Sequence, residues 1–261
     1  MQLKQWMECM EKVAPAALAE EWDNPGLLIS PERNEIHHVL IDLDCTMKTV
    51  EEAKEIGAEL ILVHHPLFFS PVKHILLDDP RTSVAWKLIR EGIGLFAAHT
   101  NLDRAEGGVN DVLAQTLGIH TVLPYGDGTG RIGNLQNPVS LIEFARKAEN
   151  ALKTVVSYTG NPEKKIRRIA VLGGAGGSML SDAKEACADA YLTGEAKHHE
   201  AIAAEELGVA LLVAGHDETE RIVLPTLRER LQSMTDDVKY TLALSGRGPF
   251  RRGTGGTTHE Q

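Results

Sequence analysis

Two adjacent histidines, His64 and His65, close the apolar run Leu60-Ile61-Leu62-Val63 and are followed at once by Pro66. Successive strand residues point to opposite faces, so only one imidazole of a regular strand can face a given site. Pro66 predicts that the chain leaves the strand here, which lets both rings converge. Other strand-like runs end in the same residue types. "GLFAAHTNLD" delivers His99 and, four residues on, Asp103. "DAYLTGEAKHH" delivers Glu195, with His198 and His199 after it. "ALLVAGHDETE" delivers His216 and Glu220, which share a face at i and i+4 if a helix starts near Asp217. Each has a bland reading: a lone strand-end histidine is most often a hydrogen-bonded structural residue, Asp103 can cap a helix, and Glu220 can be a solvated helix residue. Their coincidence points elsewhere. His64, His65, Asp103, His216 and Glu220 make a set of three nitrogens and two carboxylates, suited to Zn²⁺, Mn²⁺, Fe²⁺ or Ni²⁺ rather than Ca²⁺ or Mg²⁺. Five donors exceed one open zinc site and suit two divalent metal ions, zinc foremost, sharing a bridging carboxylate. Glu220 is the candidate bridge; His99 and Glu195 are the candidates to move protons, so the catalytic set is His99, Glu195 and Glu220.

The elements that must position these residues alternate. Residues 37–44 read as a strand, 46–58 as a helix, 59–66 as a strand, 82–92 as a helix, 93–103 as a strand and 107–118 as a helix. This is the pattern of an α/β architecture, and in such sheets ligands bind outside the carboxyl ends of the strands. The Gly-, Asn- and Pro-dense stretch 123–138 is the candidate boundary. A second alternating set follows it. The expectation is two similar α/β lobes of mixed sheets flanked by helices, 1–124 and 125–250, with the metal site between them at strand C-terminal ends. Residues 251–261, polar and glycine-rich, read as a disordered tail. "LGGAGGS" at 172–178 follows a strand and precedes a helix, a geometry that can cradle a phosphate, although tight packing accounts for it better.

Composition excludes several classes. Lys plus Arg is 27 against 37 Asp plus Glu, a net charge of −10, which argues against a general nucleic-acid binder but not against a small anionic substrate such as a nucleotide. Cys9, Cys45 and Cys187 are scattered, so a reducing, cytoplasmic setting is expected rather than a disulfide framework. Lys4, Glu8, Glu11 and Lys12 make the N-terminal segment an amphipathic helix rather than a signal peptide, and no apolar run approaches membrane-spanning length.

Several ordered motifs carry a resemblance over residues 1–250: "EEWDNPGLLI", "ILVHHPLFF", "AAHTNLDRAEGGVNDVLAQTLG", "GTGRIGNL", "LGGAGGSM", "DAYLTGEAKHHEA" and "AGHDETE". The sequence resembles the dinuclear-metal-centre family of NIF-three-like proteins, the GTP cyclohydrolase 1 type 2 homologues. The resemblance implies that His64, His65, Asp103, His216 and Glu220 bind two metals. It also implies a toroidal homohexamer, a trimer of dimers, whose sites face an internal cavity. The implied activity is metal-dependent hydrolysis of a purine nucleotide or related small molecule. The competing expectation is a non-enzymatic metal-binding hexamer with an interaction, metal-handling or regulatory role. Asp217 departs from the family pattern, which often has an aromatic residue after the histidine. Trp22, Asp23 and Asn24 open the first motif, where a capped turn packed on the core serves as well as a role at the site.

Overall fold

Helix formation begins with a stripe: Leu3, Trp6, Met10 and Val13 are the buried residues of α1 (Leu3–Val13), spaced so that one face meets the core. The structure, a computed structural model, describes residues 1–246 and 248–250, so the tail expected at 251–261 lies outside the described residues. After α1 come β1 (Gly26–Ile29), β2 (His38–Asp42), α2 (Met47–Ile56) and β3 (Leu60–Val63). The Thr46 hydroxyl accepts the Thr49 amide at the start of α2, and Gly57 closes the helix in the left-handed conformation. The next helix, α3 (Pro80–Glu91), is capped by Asp79 and opens on proline, and it leads into β4 (Gly94–Ala97). Two short helices follow, α4 (Thr100–Arg104) and α5 (Val109–Thr116). Then come β5 (His120–Tyr125), β6 (Gly130–Ser140), α6 (Leu141–Leu152), β7 (Ser157–Tyr158) and β8 (Lys165–Leu172). The remainder is α7 (Leu180–Glu185), β9 (Ala190–Thr193), α8 (His198–Leu207), β10 (Ala210–Val213), α9 (His216–Glu220), α10 (Val223–Met234) and β11 (Lys239–Leu242). No helix among the described residues is long and apolar enough to cross a membrane.

Two mixed sheets result. The first has the order β1-β4-β3-β2-β11, with only β1 antiparallel to its neighbour. The second has the order β5-β6-β8-β9-β10-β7, with β8, β9 and β10 parallel. Each contains a β-α-β-α-β unit, β2 to β4 and β8 to β10, buried on both faces as parallel strands require. Helix α5 joins the two halves: Val109 and Val112 pack into the core of the first sheet, Leu113 and Leu117 into that of the second.

The structure alters the expected boundaries. A division at 124/125 cuts through β5, and the stretch 123–138 is no linker but part of the antiparallel pair β5–β6. Its glycines serve close packing: a methyl group on Gly133 would run into the His120 carbonyl across the ladder. Nor does the second half keep its own end. Helix α10 buries Val223, Leu224, Leu227 and Leu231 in the first core, and β11 pairs with β2. The helix expected to start near Asp217 starts at His216 and ends at Glu220 as α9, with α10 following as a separate helix from Val223.

Candidate metal centre

The backbone settles how adjacent histidines face one site. The amides of His64 and His65 both donate to the single carbonyl of Leu43, at 3.1 and 2.9 Å. The ladder therefore ends at Val63 and the chain turns, bringing the two rings to centroids 5.0 Å apart. The ends of β3 and β4 supply His64, His65, His99 and, through α4, Asp103; the end of β10 supplies His216 and, one helical turn later in α9, Glu220. The C-terminal ends of both parallel units thus meet at one cluster.

Glu220 sits at its middle. Its Oε1 lies 3.2 Å from His216 Nε2 and 3.8 Å from His64 Nε2, and its Oε2 lies 2.9 Å from His65 Nε2. Asp103 Oδ1 is 3.5 Å from His64 Nε2. Burial opposes ionisation of Glu220, yet the surrounding His216, His64 and His65 hold its carboxyl well below the usual range. Asp103 is pushed up by burial, which His64 offsets only in part. For His65, burial opposes the proton, but Asp44 and Glu220 raise the imidazole to about 10. His64 and His216 are raised as well, His64 by Asp103 and Glu220 against its burial, His216 first by its Glu220 hydrogen bond. This is an anionic pocket holding imidazoles, and it favours a cation.

The other nitrogen of each ring is anchored. Ala98 O takes His64 Nδ1 at 2.8 Å, Asp44 Oδ1 takes His65 Nδ1 at 2.9 Å, and Asp23 Oδ1 takes His99 Nδ1 at 2.9 Å. This leaves the Nε2 atoms facing inward, the arrangement in which metal-ligating histidines are oriented. The Asp23 side chain is buried; burial alone would raise its carboxyl, but His99 and Thr100 hold it down at about 2. His64 Nε2, His65 Nε2 and Glu220 Oε2 are buried without a hydrogen-bond partner among the described residues. His65 Nε2 and Glu220 Oε2 face each other at 2.9 Å as an ion pair without meeting hydrogen-bond geometry. Donor atoms from His64, His65 and His99, and again from His65, His216 and Glu220, lie within 4.8 Å of one another and could hold a metal ion.

A cavity of about 840 Å³ opens beside the cluster, lined among others by Asp44, His65, Glu195, His216 and Arg221. Glu195 Oε1 approaches His216 Nδ1 at 3.4 Å. His198 and His199, by contrast, are exposed on α8 and do not line it. Asp217 is spoken for: Arg221 donates to it at 2.8 Å and also reaches buried Asp42 at 3.0 Å. The residue thus braces α9 against the end of β2. The glycine loop is equally engaged, with Gly173 N donating to Asn110 Oδ1, Gly174 N to Thr219 Oγ1 and Gly176 N to Thr193 Oγ1, so these amides are not free for a phosphate. Reading the sequence missed Asp44 and left Asp23 undecided. The signal for Asp44 was available, because "IDLD" is itself a strand end carrying carboxylates.

A family model described as Duf34/NIF3 (NGG1p interacting factor 3) matches residues 1–246. The chain is 33% identical over 259 residues to a GTP cyclohydrolase 1 type 2 homolog of Clostridium perfringens, covering 96% of this chain and 99% of that one. It is 34% identical over 233 residues to the protein NIF3 homolog of Schizosaccharomyces pombe, covering 81% and 82%. Among solved structures, a Bacillus cereus protein related to NIF3 superposes with a TM-score of 0.90 at 25% identity, over 97% of this chain and 99% of that one.

Proposed function

The chain belongs to the Duf34/NIF3 family, and from that premise we propose that it is a metal-dependent hydrolase acting on a purine nucleotide or a related small molecule. The observation that carries this reading is a cluster of buried donor atoms that make no hydrogen bond among the described residues, His64 Nε2, His65 Nε2 and Glu220 Oε2, drawn around the Glu220 carboxylate. Buried polar atoms without partners are costly, and a cation removes that cost for all three together. The donor chemistry fits first-row divalent ions, zinc foremost; His64, His65, Asp103, His216 and Glu220 would hold two of them. Bound there, such ions would supply Lewis acidity, which acidifies a water and neutralises charge developing on the substrate.

The chain's own residues do the rest. Ala98 O, Asp44 and Asp23 fix the tautomers and orientations of His64, His65 and His99. Glu195, half-exposed at the cavity wall beside His216, is placed to take a proton from the attacking water or return one to the leaving group. His99, its Nδ1 committed to Asp23, has Nε2 for the same task. The relatives' name, GTP cyclohydrolase 1 type 2 homolog, supports a purine nucleotide as the substrate to try first. The assembly proposed is a homohexamer, a trimer of dimers; exposed Val72, Ile75, Leu76 and Leu77 before α3 support burial of that segment against another copy. Free Cys9, Cys45 and Cys187 suit a reducing, cytoplasmic setting.

The test is turnover of GTP, phosphodiesters and small amides by metal-reconstituted protein, beside His64→Ala and Glu220→Ala. Metal-dependent hydrolysis abolished in both variants is the expected result. Bound metal with no hydrolysis of any of the three classes would assign the centre to metal handling instead.

A further inference from the structure

Two aromatic side chains stand in solvent beside the histidines. Trp22 is 59% exposed and Phe69 is 48% exposed, whereas Trp6, Phe144 and Tyr191 are fully buried. The two exposed rings lie 6.2 Å apart, tilted by 42°. Both meet the ring of His99, at 6.0 and 5.5 Å, in edge-on geometry. His99 in turn is 5.1 Å from His64 and 5.7 Å from His65. The pair is therefore continuous with the cluster, on a side of it that the large cavity does not include.

The pair is also held in place. Asp23, next to Trp22, accepts from His99 Nδ1 and from the Thr100 amide. Asn24 donates to the Phe68 carbonyl at 2.7 Å, tying the Trp22 turn to the loop that carries Phe69. One tripeptide, Trp22-Asp23-Asn24, thus supplies an aromatic face, the carboxylate that orients His99 and the strut between the two loops. Rigid aromatic faces left open to solvent are what a stacking site presents, because little side-chain freedom is lost on binding. A protein partner would use the aliphatic residues farther along, Val72, Ile75, Leu76 and Leu77, which lie away from the histidines in sequence and lack this aromatic edge.

We propose that Trp22 and Phe69 form a stacking subsite that receives a flat heteroaromatic ring and sets it against the His99 edge of the metal centre. The proposal rests on the reading of that centre as the reactive one, and it names the class of substrate the centre takes. Stacking selects flatness rather than a particular base. A preference for aromatic heterocycles then needs no dedicated hydrogen-bond readout.

The experiment is a calorimetric titration of the metal-reconstituted full chain with guanosine, with ribose as the base-free control. Trp22→Ala and Phe69→Ala should each weaken guanosine binding roughly tenfold or more. Trp22→Phe should restore most of the affinity. Metal content should stay at the unmodified level throughout, which separates loss of the subsite from loss of the centre. Equal guanosine affinity in the alanine variants, or no guanosine binding by the unmodified protein, would overturn the proposal. So would a fall in oligomeric mass by light scattering, which would make the pair a subunit contact. Guanosine binding that depends on Trp22 in a protein hydrolysing nothing would leave the subsite standing and sink the hydrolase reading.

Discussion

His65 is gripped from both sides, by Asp44 at Nδ1 and by Glu220 near Nε2. On the proposed two-metal reading, His64→Ala and His65→Ala should each lose about one equivalent of metal, while Glu220→Ala, which removes the carboxylate proposed to be shared, should weaken both sites. Elemental analysis of the three variants, run beside thermal unfolding, checks this; full metal content in either histidine variant would show that ring to be structural. Asp44→Asn tests the anchoring layer. It keeps the shape but turns a charged acceptor into an amide, so metal affinity should fall roughly 10- to 100-fold with the fold intact. A competition titration against a chelator reads that change. At this scale the sequence was most legible where chemistry sits at strand ends, since His64, His65, Asp103, His216 and Glu220 do come together. Asp44 escaped because a carboxylate ending a strand looks like a turn residue until its partner, 21 positions away, is known.

Two elements converge on Glu220 from behind. Gly174 adopts φ +64, and a methyl group there would enter van der Waals overlap with Glu220 Oε1 and lie 3.2 Å from His216 Nε2. Gly174→Ala should therefore strip metal from the centre even though it changes no donor, and inductively coupled plasma analysis of the purified variant will show it; retention of full metal content would mean that the Glu220 side chain yields. Helix α9 is braced to β2 by Arg221, which bridges Asp217 and the fully buried Asp42. Arg221→Met leaves the buried Asp42 carboxylate without its cationic partner, with the Leu43 amide and Thr49 hydroxyl left donating to it, a loss of about 3 kcal/mol by analogy with other broken buried pairs. A chain of this length should then melt several degrees lower. Element order and type were largely readable from alternating apolar runs, and the strand ladder itself sets where each run stops. What sequence could not separate was glycine that turns a chain from glycine that lets two backbones touch, which is why the β5–β6 stretch read as a boundary.

At the scale of the molecule, the exposed aliphatic run before α3 and the net charge of −10 make opposing demands on the proposed hexamer, since six such copies would repel unless apolar contacts dominated their interfaces. Light scattering should give six times the 28.4 kDa chain mass, and Leu77→Asp, at a residue 65% exposed, should lower it while sparing the metal content of the chain. A stable monomer at micromolar concentration would remove the hexamer and leave the centre untouched. The return of β11 to the first sheet carries a consequence for how the chain is made. Strand β2 waits for a neighbour encoded about two hundred residues later, so on the ribosome its outer edge stays open until residues 239–242 have emerged. The second sheet, drawn entirely from residues 120–213, has every strand in hand well before that moment. The half that begins first is therefore the half that finishes last, and a nascent chain stalled before Lys239 would expose an unpaired parallel edge, the feature most prone to pair with a neighbouring copy.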